Sequence, residues 1–242
     1  MKLKFERRKR RKILFSIIYR LNKFPFTNRN KKLKLYLNLN WIFWRLAIEQ
    51  ADKNFSFSEE SMRTKNLQFL IKKLSRDHKV LDLGCKYGRI SSLIAEKTKV
   101  TVGVDYDKVA IDIAKKENSK NNLSFYHEDA YNYLTNSDES FDVIVLSHIL
   151  EHLDGPEEFL TKFKCFFTYF YIEIPDFDDS YLNMYRYKTG ARLIYTDDDH
   201  IWEFDRDSFQ ELLIKCDLDI IDSEYRYGLQ KYWCKNTLSN KK

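Results

Sequence analysis

The run Val80-Leu81-Asp82-Leu83-Gly84-Cys85-Lys86-Tyr87-Gly88-Arg89-Ile90-Ser91 reads as a buried strand, a tight glycine turn and the start of a helix. Val80, Leu81 and Leu83 make a short apolar strand of the kind covered on both faces in a parallel sheet. Gly84 and Gly88 let the backbone turn sharply and let a ligand approach where a side chain would collide. A helix beginning near Arg89 aims its unpaired N–H groups at that ligand. The chain holds only six glycines, so two within five residues stand out from background. Taken alone, the stretch also fits an ordinary strand-to-helix turn; the segments after it narrow the choice.

Val100-Thr101-Val102-Gly103-Val104-Asp105 reads as a second strand ending in a carboxylate, 21 residues after Gly84. In a βαβ unit that spacing sets the acid beside the glycine turn, where it can accept hydrogen bonds from ribose hydroxyls. Leu123 to Ala130 reads as a third strand ending in acids, and Phe141 to Leu146 as a fourth running into Ser147-His148-Ile149-Leu150-Glu151-His152-Leu153. Helix-like stretches, Arg89 to Glu96 and Asp107 to Asn118, lie between them. Strands alternating with helices imply a parallel sheet with ligands above the carboxyl ends of its strands.

This order of segments resembles the class I S-adenosylmethionine-dependent methyltransferases, over roughly residues 62 to 225. It is most similar to the small-molecule branch whose fourth strand runs into a Ser/His-x-x-Leu-Glu-His segment. The resemblance implies an α/β fold: a doubly wound, mostly parallel seven-stranded sheet flanked by helices, here with a basic helical N-terminal extension. The implied cofactor is S-adenosyl-L-methionine, which leaves as S-adenosyl-L-homocysteine. Asp82, Gly84 and Gly88 would shape its methionine end, with Cys85 and Tyr87 in the same turn. Asp105 would take the ribose hydroxyls, followed by Tyr106. Asp129 and Ala130 would flank the adenine, and backbone near Ser147 would line the sulfonium. One departure stands out: the family has Gly-x-Gly at the turn, and here the second glycine is Lys86. A non-glycine residue with positive φ carries a steric cost. Either the backbone at Lys86 is ordinary or cofactor affinity is reduced. Lys86 facing the cofactor carboxylate ranks below a solvent-facing role. A nicotinamide site is disfavoured, because the turn lacks Gly-x-Gly-x-x-Gly spacing.

The 242 residues fit one α/β domain plus an extension, and 43% apolar content supports a sizeable core. We divide the chain into a basic, aromatic-rich helical extension (1–57) and a methyltransferase domain (58–242) with an acceptor-side insertion (176–204). Residues 1–50 hold 15 Lys and Arg against 2 Asp and Glu, a surplus of +13; the remainder holds 27 against 34, a deficit of −7. The net +6 therefore conceals a basic arm on an acidic body. The run Arg7 to Lys12 precedes the apolar Ile13 to Tyr19, which is far short of the roughly 20 residues needed to span a bilayer. No small-residue cleavage site follows it. Such a segment suits an anionic membrane surface. A solvated helix or a partly disordered tail fits the same composition, and nucleic acid ranks third as a partner. Leu33 to Glu49, crowded with Trp41, Phe43 and Trp44, reads as a helical cover on the domain. Ser58-Glu59-Glu60-Ser61 reads as the start of a helix running to about Ser75. Cys85, Cys165, Cys216 and Cys234 form no Cys-x-x-Cys pair and read as reduced thiols of a cytoplasmic protein.

A sulfonium methyl is already electrophilic, so the protein's task is to hold an acceptor in line and exclude water. A hydroxyl acceptor also needs a base, and histidine suits that near neutral pH. His148, directly after the fourth strand, and His200, in Asp197-Asp198-Asp199-His200-Ile201-Trp202, are the base candidates. His148 serves equally as a wall of the cofactor site. His152 reads as structural, sharing a helix face with His148 if a turn forms there. His148 and His152 have metal-pair spacing but no third ligand at a suitable spacing, so no metal is expected. The three aspartates before His200 fit Mg²⁺ or a solvated loop. Tyr169 to Ile174 reads as a fifth strand stopped by Pro175. After it comes a tyrosine-rich insertion whose Tyr181, Tyr185, Tyr187, Tyr195, Arg186, Lys188 and Arg192 could bind a polar acceptor or pack as a loop. Asp205 caps a helix through Lys215. Leu218 to Ser223 and Tyr232 to Cys234 read as the last strands.

The chain lacks the Asn/Asp-Pro-Pro-aromatic motif of nucleic-acid amino-methyltransferases, a Pro-Cys nucleophile and a Gly-x-Ser-x-Gly elbow. The expected function is O-methylation of a small or glycan-linked acceptor, as the resemblance to methyltransferases of bacterial surface-polysaccharide pathways implies. The expected location is cytoplasmic, with peripheral contact at the inner membrane surface through the basic arm. An RNA methyltransferase using that arm, and a non-catalytic partner subunit, are the alternatives.

Overall fold

The computed structural model describes residues 13–23, 28–55, 62–136, 140–191 and 199–237. The basic run Arg7 to Lys12, the helix start at Ser58 to Ser61, and Arg192, Tyr195, Asp197 and Asp198 lie outside the described residues. In chain order the elements are α1 (Ile13–Leu21), α2 (Arg29–Phe55), α3 (Met62–Ile71), β1 (Lys79–Leu83), α4 (Arg89–Ala95), β2 (Val100–Asp105), α5 (Lys108–Glu117) and β3 (Leu123–His127). They continue with α6 (Ala130–Asn136), β4 (Val143–Ser147), α7 (Pro156–Phe163), β5 (Tyr169–Pro175), α8 (Tyr181–Thr189), α9 (Arg206–Lys215), β6 (Leu218–Arg226) and β7 (Leu229–Asn236).

Helix starts follow the local chemistry. Asp107 accepts from the N–H groups of Val109 and Ala110 and starts α5. Pro156 opens α7 with Glu157 and Glu158 in its first turn, which suits the positive end of the helix dipole. Asp205 accepts from the Ser208 N–H at 2.8 Å and starts α9, as its sequence indicates.

The seven strands form one sheet in the order β3-β2-β1-β4-β5-β7-β6. The first five are parallel, and β7 is antiparallel to both β5 and β6. Side chains alternate between two buried faces. Leu81, Leu83, Val102, Ile144, Leu146, Phe170 and Ile172 meet Leu134, Phe159, Phe163, Phe209 and Leu213 of α6, α7 and α9. Val80, Val143, Val145 and Tyr171 meet Phe69 and Leu70 of α3 and Ile94 of α4 on the other side. This double covering explains why the central strands read as continuous apolar runs. Chain order reverses between β1 and β4, so the carboxyl ends of those strands open a crevice where open α/β sheets hold ligands.

The extension helix α2 runs well beyond the Leu33 to Glu49 segment. It touches the domain at α8, burying Leu37, and Arg186 donates from Nη2 to Asn40 Oδ1 at 2.7 Å. Much of its apolar side is exposed rather than packed, Phe43 at 65% and Leu35 at 54%. Among the described residues no helix is long and apolar enough to cross a membrane.

Candidate active site

The turn after β1 is built from left-handed backbone. Gly84 has φ 73°, Gly88 has φ 69°, and Lys86 between them has φ 45°. Lys86 therefore takes a glycine-like conformation, not an ordinary one, and its side chain is exposed. The backbone compensates locally: the Lys86 N–H donates to Asp105 Oδ2 at 2.8 Å. Gly84 and Cys85 donate to the Val104 carbonyl at 2.8 and 3.1 Å. Asp105 is buried, and its other oxygen accepts from the Asp107 N–H at 2.9 Å. This carboxylate thus ties the β1 turn to the β2 turn. A carboxylate has about four acceptor sites, so two such bonds leave capacity for a ligand. A Cβ on Gly84 would lie 2.2 Å from Ile149 Cδ1, so the residue after His148 packs directly on the turn.

Asp82 lies beneath the turn, 2% exposed, accepting from Ser91 Oγ at 2.6 Å. Burial pushes its carboxyl up to about 7, against the lowering effect of Ser91. Burial also raises the Cys85 thiol, as do the Asp82 and Asp105 charges, so it is not a thiolate nucleophile. Tyr87 and Tyr106 are exposed beside the crevice. Asp129 caps α6 through the N–H groups of Tyr131 and Asn132, and Ala130 is the first residue of that helix.

The end of β4 carries a second cluster. Ser147 Oγ donates to Glu173 Oε1 at 2.9 Å, and Tyr171 donates to Glu173 Oε2 at 2.7 Å. His148 has φ 56°, another non-glycine residue in the left-handed region, and its N–H donates to the Glu173 carbonyl. Its ring Nδ1 lies 2.9 Å from Glu151 Oε1, and its Nε2 3.7 Å from Glu173 Oε1. A histidine gripped by one buried carboxylate while a second stands near its other nitrogen is oriented for proton transfer. Residues 150–152 form a single 3₁₀ turn rather than α-helix, so His148 pairs with Glu151 at i+3 and not with His152 at i+4. His152 faces the later segment instead. Its Nδ1 meets the Asp199 carbonyl at 3.2 Å, and its ring meets that of His200 edge-on at 4.8 Å. His200 is nearly enclosed, its side chain 5% exposed and its Nδ1 3.4 Å from Glu203 Oε1. Ile201 and Trp202 dock their N–H groups on the Glu151 carbonyl.

In the insertion, Tyr181 and Tyr187 are exposed, whereas Arg186 is buried between α8 and α2 and is turned away from an acceptor role. No sequence pattern marks Glu151, Glu173, Ile149 or the buried Asp176, which accepts from two nitrogens of Arg206, as residues of the site. A carboxylate inside the apolar Tyr169 to Ile174 run was the available signal for Glu173.

A family model described as a methyltransferase domain matches residues 55–223. A ubiquinone biosynthesis O-methyltransferase of Pelagibacter ubique is 29% identical over 133 residues, covering 55% of this chain and 51% of that protein. The chain spans about half or less of the length of the curated relatives it matches. A SAM dependent methyltransferase from Archaeoglobus fulgidus superposes with TM-score 0.56 at 18% identity, over 76% of this chain and 97% of that one. The magnesium protoporphyrin IX methyltransferase of Synechocystis PCC 6803, solved with bound SAH, superposes with TM-score 0.55 at 13% identity, over 92% and 94%. At these identities the structural likeness is one of fold.

Proposed function

The chain belongs to the methyltransferase domain family, and on that premise we propose that it transfers the methyl group of S-adenosyl-L-methionine to an oxygen of a small-molecule acceptor. The observation that carries this reading is the turn between β1 and α4. Lys86 keeps the left-handed backbone of the missing glycine, and its N–H is held by the acid at the end of β2. The residues fit the cofactor: a turn of left-handed backbone at Gly84, Lys86 and Gly88, and a buried carboxylate with acceptor capacity to spare. Gly84 and Gly88 with Asp82 beneath would hold the methionine end, and Asp105 the ribose. Asp129 and Ala130 at the end of β3 would border the adenine.

When bound, the cofactor supplies an electrophilic methyl group. The chain's own groups do the rest. His148 takes the acceptor's proton on Nε2 while Glu151 holds Nδ1. Glu173 favours the imidazolium that results, because an opposite charge near the ring stabilises its charged form. Such a base is worth roughly 10²–10⁴-fold. His200, enclosed and turned to His152, suits this task less than the more exposed His148.

Oxygen as the attacking atom is supported by the name of the O-methyltransferase relative. A glycan-linked acceptor is the finer proposal, resting on the resemblance to surface-polysaccharide enzymes. Peripheral contact with an anionic membrane is supported by the exposed Leu35, Leu39, Ile42 and Leu46 of α2, within the basic residues 1–50 of the sequence.

Calorimetric titration with S-adenosylhomocysteine tests the cofactor site. Wild type should bind, and Asp105→Asn should lose roughly tenfold or more, one lost charge-assisted bond. Absent binding by folded wild type would leave the partner-subunit reading. Labelled cofactor offered with nucleotide sugars, small phenols and RNA then assigns the acceptor. Label in RNA alone would overturn the small-molecule reading, and label in phenols alone would overturn the glycan proposal.

A further inference from the structure

Glu151 is fully buried, and one of its oxygens, Oε2, has no hydrogen-bond partner among the described residues. An unpaired carboxylate oxygen in that position is costly. The ligand-bearing atoms of Glu151, His152 and His200 all lie within 4.8 Å of one another. We propose that these three residues bind one divalent first-row metal ion, with zinc as the best match.

The chemistry of the donor set supports this. Two imidazoles and a carboxylate are ligands suited to zinc and its neighbours, not to Mg²⁺ or Ca²⁺. Each of the three side chains is steadied by a second contact, as metal ligands are. Glu151 Oε1 pairs with His148 Nδ1 at 2.9 Å. His152 Nδ1 meets the Asp199 carbonyl, and His200 Nδ1 meets Glu203. A ring whose Nδ1 carries the proton offers its Nε2 lone pair to an ion. Donors bound tetrahedrally at about 2.0–2.1 Å stand about 3.3 Å apart, so modest side-chain rotation closes the site. Three protein ligands leave a fourth position for water or an oxygen ligand. The ion is separate from the cofactor turn, and the inference does not rest on the proposed reaction.

The full chain, stripped with chelator and dialysed, would be titrated with Zn²⁺ by calorimetry. One ion per chain is expected, with affinity lowered roughly 100-fold or more in His200→Ala, His152→Ala and Glu151→Gln. Co²⁺ should give the intense visible bands of a four-coordinate site, lost in the same variants. Zn²⁺ should raise the thermal midpoint of wild type only, because an ion that binds the folded state stabilises it. Circular dichroism identifies any variant that does not fold; the partly exposed His152 is the position least at risk. No Zn²⁺ uptake by folded wild type would overturn the proposal. So would uptake that survives unchanged in folded His152→Ala, which would place the ion elsewhere, on thiols for instance.

Discussion

Lys86 and His148, two of the four non-glycine residues with left-handed backbone among the described residues, lie just past the ends of the neighbouring strands β1 and β4. Each such residue costs about 1–2 kcal/mol, and strain of this kind clusters at functional sites. The positive φ at Lys86 fixes where its N–H points, and that N–H is what Asp105 holds. Beneath the turn, Asp82 couples the site to pH. Its folded value of about 7 exceeds the ordinary 3.8, so this carboxyl favours the folded state fully below about pH 3.8. That contribution is lost as pH rises through about 7. At roughly 1.4 kcal/mol per unit the swing is about 4 kcal/mol. Asp82→Asn should flatten the dependence of unfolding free energy on pH between about 4 and 7 in urea titrations. A wild-type slope retained in the variant would place the proton elsewhere. The sequence indicated Asp82, Asp105 and both glycines, because strand, turn and acid lie in one local run. It did not reveal the partner of His148. The i+4 spacing to His152 suggested a shared helix face, but the left-handed residue and the 3₁₀ turn rotated Glu151 into that place.

At the scale of elements, apolar runs locate the seven strands of the described sheet, since burial on both faces leaves little else in the central ones. Their ends shifted where charge or proline misled: Pro175 is the last residue of β5, paired with Leu229 of β7. Long-range docking was not legible. His200 lies beside His152 because Ile201 and Trp202 hang on the Glu151 carbonyl, a tie invisible in any window of sequence. The same holds for α2 on α8. Arg186 is buried there, donating to Asn40 and Asn183, and burial lowers its affinity for a proton. Hydrogen bonds from a charged donor are worth about 1.5–3 kcal/mol. Arg186→Met should therefore speed amide exchange in α2 by roughly tenfold or more while the central strands keep their protection. Unchanged exchange in α2 would mean that Leu37 alone seats the helix.

The whole molecule is electrically divided. A surplus of +13 over residues 1–50 stands against −7 over the rest. A second copy of the same arm would meet like charge, whereas anionic lipid would meet its opposite. The apolar stripe Leu35, Leu39, Ile42 and Leu46 repeats at helical spacing on one side of α2 and is exposed along its length. The protein should co-float with vesicles containing anionic lipid at low salt, be released by high salt, and ignore neutral vesicles. Ile42→Asp with Leu46→Asp should weaken capture severalfold. Equal capture by neutral vesicles would sink the electrostatic part of this reading.

The contact between Ile149 and the bare α-carbon of Gly84 has an evolutionary consequence. While isoleucine stands at 149, any lineage that gains a methyl at 84 must also reshape the segment behind the fourth strand. Change at 84 alone is closed, by its left-handed backbone as well as by Ile149, whereas position 149 can lose atoms on its own.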